Sequence, residues 1–384
     1  MKNLIYLDNN ATTPLDPRVL NAMMPYLTSN FANASSNHKL GLEAHEAVKF
    51  ARKQIAELIE CEANELIFTS GATEAINLAI KGVAESYKEK GKHIVTVSTE
   101  HSAVLDTCKY LESRGYEITY LPVQSDGLLN LQAVENSIRI DTILVSVMYV
   151  NNEIGVIQPI KDVAKITHKA GSIFMTDATQ AVGKLRFSVE DIGIDLLTIS
   201  AHKLYGPKGS GALYFKNKRP SKIKLTPILH GGGHEKGYRS GTLNVPGIVG
   251  LGASCEFANS EIEKNTQYIG GLRDKLESEL LKIKNTFLNG SKEKRLYNIS
   301  NICFKGINSQ ALMIGLDRIT VSNGSACTSI LIEPSHVLKA LGQTDSDALS
   351  AIRFSLGKLN SEKEITKTIQ VVKETVKDLK KLMY

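Results

Sequence analysis

No stretch of this chain is apolar for long enough to cross a bilayer as a helix. The opening run MKNLIYLD reaches Asp8 and its neighbouring amides too early for a secretory leader, so a reducing, cytoplasmic setting is the expectation. Cysteine is sparse and unpatterned. Cys61, Cys108, Cys255, Cys303 and Cys327 are odd in number, scattered, and without CxxC or Cys/His ligand spacing, which argues against a disulfide framework or a resident metal site. Internal repeats and low-complexity tracts are absent. Neither sign of charge dominates: 46 Lys+Arg against 40 Asp+Glu leaves +6, modest for 384 residues. The basic run at 377–381 has no interleaved aromatics and reads as a solvated helix face, so direct binding to nucleic acid or to a membrane is not expected.

What is present suits a large soluble globular protein. With 42% hydrophobic residues the chain can bury an extensive core, and its length fits two domains better than one small module. Apolar, β-branched runs at 94–97, 143–147, 173–176 and 196–200 alternate with helical stretches, the pattern of an α/β fold with a mostly parallel central sheet covered by helices. Between Glu43 and Ile59, the residues Ala44, Ala47, Val48, Ala51, Ile55 and Leu58 share one helical face. After Cys255 the pattern turns to long amphipathic helices with fewer strands. This divides the chain into a large domain at 1–255 and a smaller α+β domain at 256–384, with the first fifteen or so residues free to pack on the smaller one. The last helix has a candidate capping box in Ser361 and Glu364, followed by apolar residues at Ile365, Ile369, Val372, Val376 and Leu379.

Four segments carry candidate chemistry. At 66–77 a strand meets a small-residue turn and a helix start, where backbone N–H groups and the Thr73 hydroxyl suit a phosphate; ordinary helix capping explains the same residues. Asp177 ends an apolar strand at the edge from which open sheets bind ligands. Its carboxylate could meet a protonated pyridine nitrogen or simply cap the next helix. Lys203, in SAHKLYGPKG at 200–209, follows another apolar strand and is placed to form a Schiff base with an aldehyde cofactor, where most lysines are solvated. Cys327 stands in SNGSACTS at 322–329, a Gly/Ser-rich run that would let a thiol swing toward a substrate, whereas a free cysteine is more often a small buried hydrophobe.

Taken in order, the motifs resemble one family, the class V aminotransferase-like cysteine desulfurases of the bacterial NifS/IscS group. The likeness spans YLDNNATTP at 6–14, TSGATE at 69–74, TEH at 99–101, VNNEIG at 150–155, TDATQ at 176–180, the Lys203 segment, GGGHE at 231–235, RSGT at 239–242, the Cys327 segment and IRFSL at 352–356. The resemblance implies the fold type I of pyridoxal 5'-phosphate enzymes and that cofactor. It makes Lys203 the lysine bound to the cofactor aldehyde, Asp177 the partner of the ring nitrogen, Gln180 a donor to the phenolic oxygen and His101 the stacking residue. Ala72, Thr73, Ser200 and His202 would cradle the phosphate, with Thr242 entering from a second subunit of a homodimer. Asn152 would contact cofactor and substrate, and Arg353 would hold the substrate carboxylate with its planar fork.

The implied activity is conversion of L-cysteine to L-alanine with the sulfur kept on Cys327 as a persulfide. A sulfur-acceptor protein, such as an iron–sulfur scaffold or a tRNA-thiolation carrier, would take it onward. No intrinsic metal is implied, although Cys327 could transiently ligate an iron–sulfur cluster. A selenocysteine lyase of the same family is the alternative activity, and a non-catalytic sulfur-relay adaptor the alternative of another class. Two stretches depart from the family pattern: FANASS at 31–36, where a Gly-Asn-Pro turn is usual, and the apolar Ile330, Leu331 and Ile332 after the thiol.

Overall fold

The structure, a computed structural model, describes residues 4–218, 222–324 and 333–381. In chain order, β1 (Ile5–Tyr6) leads to α1 (Pro17–Leu27), α2 (Lys39–Ile59), β2 (Leu66–Thr69), α3 (Ala72–Ser86), β3 (His93–Val97), α4 (Ser102–Glu112) and β4 (Glu117–Leu121). Then follow α5 (Leu131–Ser137), β5 (Thr142–Ser146), α6 (Ile160–Lys169), β6 (Ile173–Asp177), α7 (Val189–Ile192), β7 (Leu196–Ser200), β8 (Gly211–Phe215) and the long α8 (Val245–Leu280). The remainder comprises β9 (Thr286–Leu288), β10 (Ile299–Phe304), α9 (Ser309–Gly315), β11 (Ile319–Thr320), α10 (His336–Ala340), α11 (Asp345–Ala348), β12 (Ala351–Ser355) and α12 (Glu362–Lys381). Among the described residues no helix is long and apolar enough to cross a membrane.

The central sheet has the order β2-β8-β7-β6-β5-β3-β4. The four pairs from β7 to β4 are parallel, and β8 is antiparallel to both β7 and β2. Because β2 is inverted twice through β8, it runs the same way as β7, and its C-terminal end reaches the same edge. Strands with neighbours and helices on both faces must be apolar on both. Along β6, Ile173 and Met175 join one core cluster and Phe174 the other; along β7, Leu196 joins one and Leu197 with Ile199 the other. That is the period of two expected of a strand buried on both sides. Helices α3 and α4 cover one face, while α2, α6 and the start of α8 cover the opposite one.

Helix α2 contains the helical face read between Glu43 and Ile59 and begins at Lys39. His38 supplies the reason, since its Nδ1 accepts from Gly41 N at 3.2 Å and caps the helix at Lys39. The capping box of α12 is present, with Ser361 N donating to Glu364 Oε2 at 2.8 Å and Glu364 N to Ser361 Oγ at 3.3 Å.

Position 255/256 falls inside α8, which continues without a break. Its side chains change partners further on: those through Ile262 pack with the large sheet, and those from Ile269 to Leu280 pack with Ile302, Phe354, Ile365 and Val372 around the sheet β12-β10-β9. Ile5 and Leu7 belong to this second core, where β1 pairs with β11. Residues 8–13 then cross to the large sheet, held by Asn9 N to the Ser355 carbonyl (3.0 Å) and Thr13 N to the His202 carbonyl (2.9 Å). The N-terminal segment is thereby laid across the C-terminal edge of the parallel strands.

Candidate active site

Strands β3 and β5 are adjacent, yet the chain leaves β3 toward β4 and leaves β5 toward β6 on the other side. Such a switch point opens a crevice at the carboxyl edge, where α/β sheets take ligands. A cavity of about 760 Å³ lies at this edge, within the size range of cofactor sites. Its lining includes Ala72, Thr73, His101, Asn152, Asp177, Gln180, Ser200, His202, Lys203 and Arg353. Thr242 is exposed in the loop before α8 and lines no part of it. Cys327 lies outside the described residues.

One end of the cavity is built for an anion. Helix α3 starts at Ala72 directly after Gly71, whose φ is +154°, and a Cβ at Gly71 would stand 3.7 Å from Ser200 Oγ. The fifteen-residue helix directs its first N–H groups, those of Ala72 and Thr73, out of its end. Beside them, burial and then the charges of Lys203, Lys208 and Lys184 lower the His202 pKa to about 4, so the ring is neutral near pH 7. His202 Nδ1 lies 3.2 Å from Thr12 Oγ1.

Asp177 ends β6 and is buried. Thr179 N and Thr198 Oγ1 donate to its Oδ1 at 2.9 and 3.1 Å, leaving Oδ2 without a protein donor among the described residues. Lys203 ends a short 3₁₀ turn after β7, with Nζ donating to the Asn10 and Ala11 carbonyls at 2.6 and 2.7 Å. Burial, then the charge of Arg353, lowers its pKa to about 8. An amine so tuned is partly neutral near physiological pH, which a nucleophile or a base requires.

His101 caps α4, its Nδ1 accepting from Ala103 N at 3.1 Å. The residue is open to the cavity, while packing on its other sides pushes its pKa down. A neutral ring whose Nδ1 accepts carries its proton on Nε2. Its neighbour Glu100 is fully buried, with Oε1 accepting from Met148 N at 2.5 Å and Oε2 without a partner. Burial, and then the charge of Asp177, raise its pKa well above the carboxylate range.

Arg353, on β12, donates from Nη1 to the Asn152 carbonyl (3.0 Å) and from Nη2 to Asp8 Oδ1 (2.7 Å). Its Nε is buried without a partner. Asn152 is held in place by the turn around Asn151, whose Oδ1 accepts from Glu153 N and Ile154 N at 2.9 and 3.0 Å.

Sequence reasoning passed over Asp8, Asn10, Glu100 and Lys184. Asp8 and Asn10 line the cavity, Asn10 shares its carbonyl with Lys203, and Lys184 contacts Gln180 from behind. The close-set acid and amides of Asp8, Asn9 and Asn10 were one local signal, and Glu100 stands beside His101 in the TEH motif, but nothing in the sequence marks Lys184 as near the cavity.

The donor set fits pyridoxal 5'-phosphate. Helix N–H groups and hydroxyls stand at one end for a phosphate, a buried carboxylate for a ring nitrogen and a tuned amine for an aldehyde. Thr179, which lines the cavity, has its Oγ1 buried without a partner.

Residues 5–368 match the family described as Aminotransferase class-V. The chain is 50% identical over 385 residues to the cysteine desulfurase IscS of Serratia proteamaculans, covering 100% of this chain and 95% of that one. It is 51% identical, with the same coverage, to the cysteine desulfurase IscS of Pasteurella multocida. Among solved structures it resembles a NifS-like protein, with TM-score 0.91 and 38% identity over 98% of this chain and 100% of that one. It also resembles SspA in complex with cysteine, with TM-score 0.82 and 38% identity over 92% of this chain and 98% of that one.

Proposed function

Because the chain belongs to the class V aminotransferase family and is a pyridoxal 5'-phosphate-dependent cysteine desulfurase of the NifS/IscS type and fold type I, turning L-cysteine into L-alanine, we propose that Lys203 carries the cofactor and Cys327 receives the sulfur. The observation that carries this reading is the Lys203 amine, held inside the cavity at a pKa of about 8 and flanked by Asp177, His101 and a helix N-terminus.

Bound in the cavity, pyridoxal 5'-phosphate supplies an electron-accepting ring and an aldehyde. Lys203 Nζ would hold the aldehyde and, as a free amine, would take the Cα proton of the substrate. Asp177 keeps the ring nitrogen protonated through a charged hydrogen bond, Gln180 donates to the phenolic oxygen, and neutral His101 covers the ring face. Ala72, Thr73, Ser200 and His202 hold the phosphate. Asn152 and Arg353 take the substrate carboxylate, with Asp8 aiming the guanidinium.

Cys327, as thiolate, then attacks the substrate sulfur. A new S–S bond forms, the substrate C–S bond breaks with its electron pair passing to carbon, and a proton completes alanine. The two sulfurs are oxidised and the carbon is reduced, so no outside oxidant is needed.

We further assign the small C-terminal domain, reckoned from 256, as the bearer of both Cys327 and Arg353. The protein acts in the cytoplasm as a homodimer in which Thr242 serves the partner's phosphate site; its exposure, away from the cavity of its own chain, supports that role. The persulfide passes to an acceptor protein such as an iron–sulfur scaffold or a tRNA-thiolation carrier. In Lys203→Ala, the near-ultraviolet absorbance that stays with the parent protein after borohydride treatment and denaturation should vanish, because no covalent link to the cofactor can form. Cofactor still covalently attached to that variant would sink the assignment.

A further inference from the structure

Gln180 and Lys184 lie four residues apart on the turn after β6. There the backbone folds back through bonds from Lys184 N and Leu185 N to the Ala181 carbonyl, at 3.0 and 2.9 Å. Gly183 permits this turn: its φ is +71°, and a Cβ would meet Leu204 Cδ2 at 2.7 Å and Ala258 Cβ at 2.9 Å. The turn carries Lys184 inward, leaving it 8% exposed.

Lys184 Nζ donates to Gln180 Oε1 at 2.6 Å. On its other side the same amide donates from Nε2 to the Asn10 carbonyl at 3.0 Å. An amide placed between a donor and an acceptor has one orientation that satisfies both. The Asn10 carbonyl also accepts from Lys203 Nζ at 2.6 Å. One hydrogen-bonded line therefore runs from Lys184 through Gln180 and Asn10 to Lys203.

We propose that Lys184 is a positioning residue for the reactive amine of Lys203, acting by fixing the Gln180 amide that shares the Asn10 carbonyl with it. The role rests on Lys203 being the cofactor lysine. Burying a lysine is costly, and burial followed by the nearby cations Lys203 and Arg353 lowers the Lys184 pKa to about 7. Its contribution is accordingly a hydrogen bond more than a charge, since a neutral amine still donates to Oε1. The charged and titratable groups facing Lys203 are Arg353, Asp177, Asp8, His101, His202 and Lys184 itself. Without Lys184, Oε1 is left buried and unpaired, and the amide turns away. The Asn10 carbonyl then loses one of its two donors, binds protonated Lys203 more strongly, and raises its pKa.

The test is the pH dependence of reductive methylation at Lys203, read by peptide mass spectrometry in the full chain prepared without pyridoxal 5'-phosphate. Lys184→Met is expected to raise the midpoint by about half a unit to one unit, the size of one hydrogen bond. Lys184→Gln, which restores a neutral donor, is expected to bring it back toward the parent value. An unmoved midpoint in Lys184→Met overturns the proposal; so does a Lys184→Gln midpoint like that of Lys184→Met, because lost charge would then be the cause. Should Lys184→Met fail to fold, Gln180→Met breaks the same line one link on and must raise the midpoint equally, and an unchanged value overturns the proposal as well. Adding pyridoxal 5'-phosphate to the parent protein separates the two assignments. Failure to protect Lys203 from methylation removes the cofactor lysine itself, whereas protection with no midpoint shift in the variants removes only the role of Lys184.

Discussion

Replacing Glu100 with glutamine should stabilise the protein, and the gain should grow as the pH rises. The carboxyl is fully buried, accepts one bond from Met148 N, has no partner on Oε2 and faces the charge of Asp177. All but the bond from Met148 favour the protonated form in the folded chain. Unfolded, Glu100 ionises with the ordinary value near 4.5. Above that pH the unfolded state releases a proton that the folded state keeps, so stability falls by ~1.4 kcal/mol per pH unit until the folded carboxyl itself ionises. Between pH 5 and pH 7 this amounts to ~2.7 kcal/mol, if Glu100 stays protonated throughout. Glutamine has the same shape, can accept the Met148 bond and does not titrate. Thermal unfolding of Glu100→Gln and the parent at pH 5, 6 and 7 reads the effect as a Tm gap that widens by a few degrees over that range. Parallel curves, or a gap that narrows with pH, would mean that Glu100 is charged in the folded protein and that the burial argument is wrong.

Arg353→Lys should raise KM for L-cysteine by roughly 10- to 100-fold, because a point charge cannot bond Asp8, the Asn152 carbonyl and a carboxylate as a planar fork does; steady-state kinetics check this, and an unchanged KM would count against the substrate role. In the second core, Arg295 binds Glu277 through Nη1 and Nη2 at 2.6 and 2.9 Å, with both side chains buried. Glu277→Ala should cost ~3–5 kcal/mol by leaving that guanidinium unpaired, and the double change Glu277→Leu with Arg295→Met should recover most of it, as read by urea unfolding. Cys108 and Cys255 are buried, and their thiols are pushed up to about 12; alkylation followed by peptide mapping should modify them only in denaturant.

The sheet could be read from the sequence because its strands are buried on both faces, and continuous apolar runs such as 143–147 and 196–200 are the direct trace of that burial. Asp177 and Lys203 were conspicuous for the same reason, as a charge set at the end of such a run needs an explanation. The apolar face between Glu43 and Ile59 marked α2 but not its first turn, because the cap is a histidine, a residue seldom used to mark helix starts, and His38 acts through Nδ1. The composition change after Cys255 reflects α8 leaving one core for another, which a continuous helix does without any local break. The role of Lys184 and the burial of Glu100 were not legible because both depend on long-range closure. Asn10 reaches Gln180 and Lys203 only when the N-terminal segment crosses the sheet edge, a contact spanning 170 positions in the chain for Gln180 and 193 for Lys203.

The fate of the substrate sulfur is the most direct test of Cys327 as its acceptor. Mixing the holoenzyme with one equivalent of isotopically labelled L-cysteine, without reductant, and weighing the peptide that contains Cys327 answers this. One labelled sulfur should be added to that peptide for each alanine formed, and none in Cys327→Ser, which should retain the cofactor but cease turnover. Alanine produced at the parent rate by Cys327→Ser, or labelled sulfur gathering on another cysteine of the parent chain, would contradict that role.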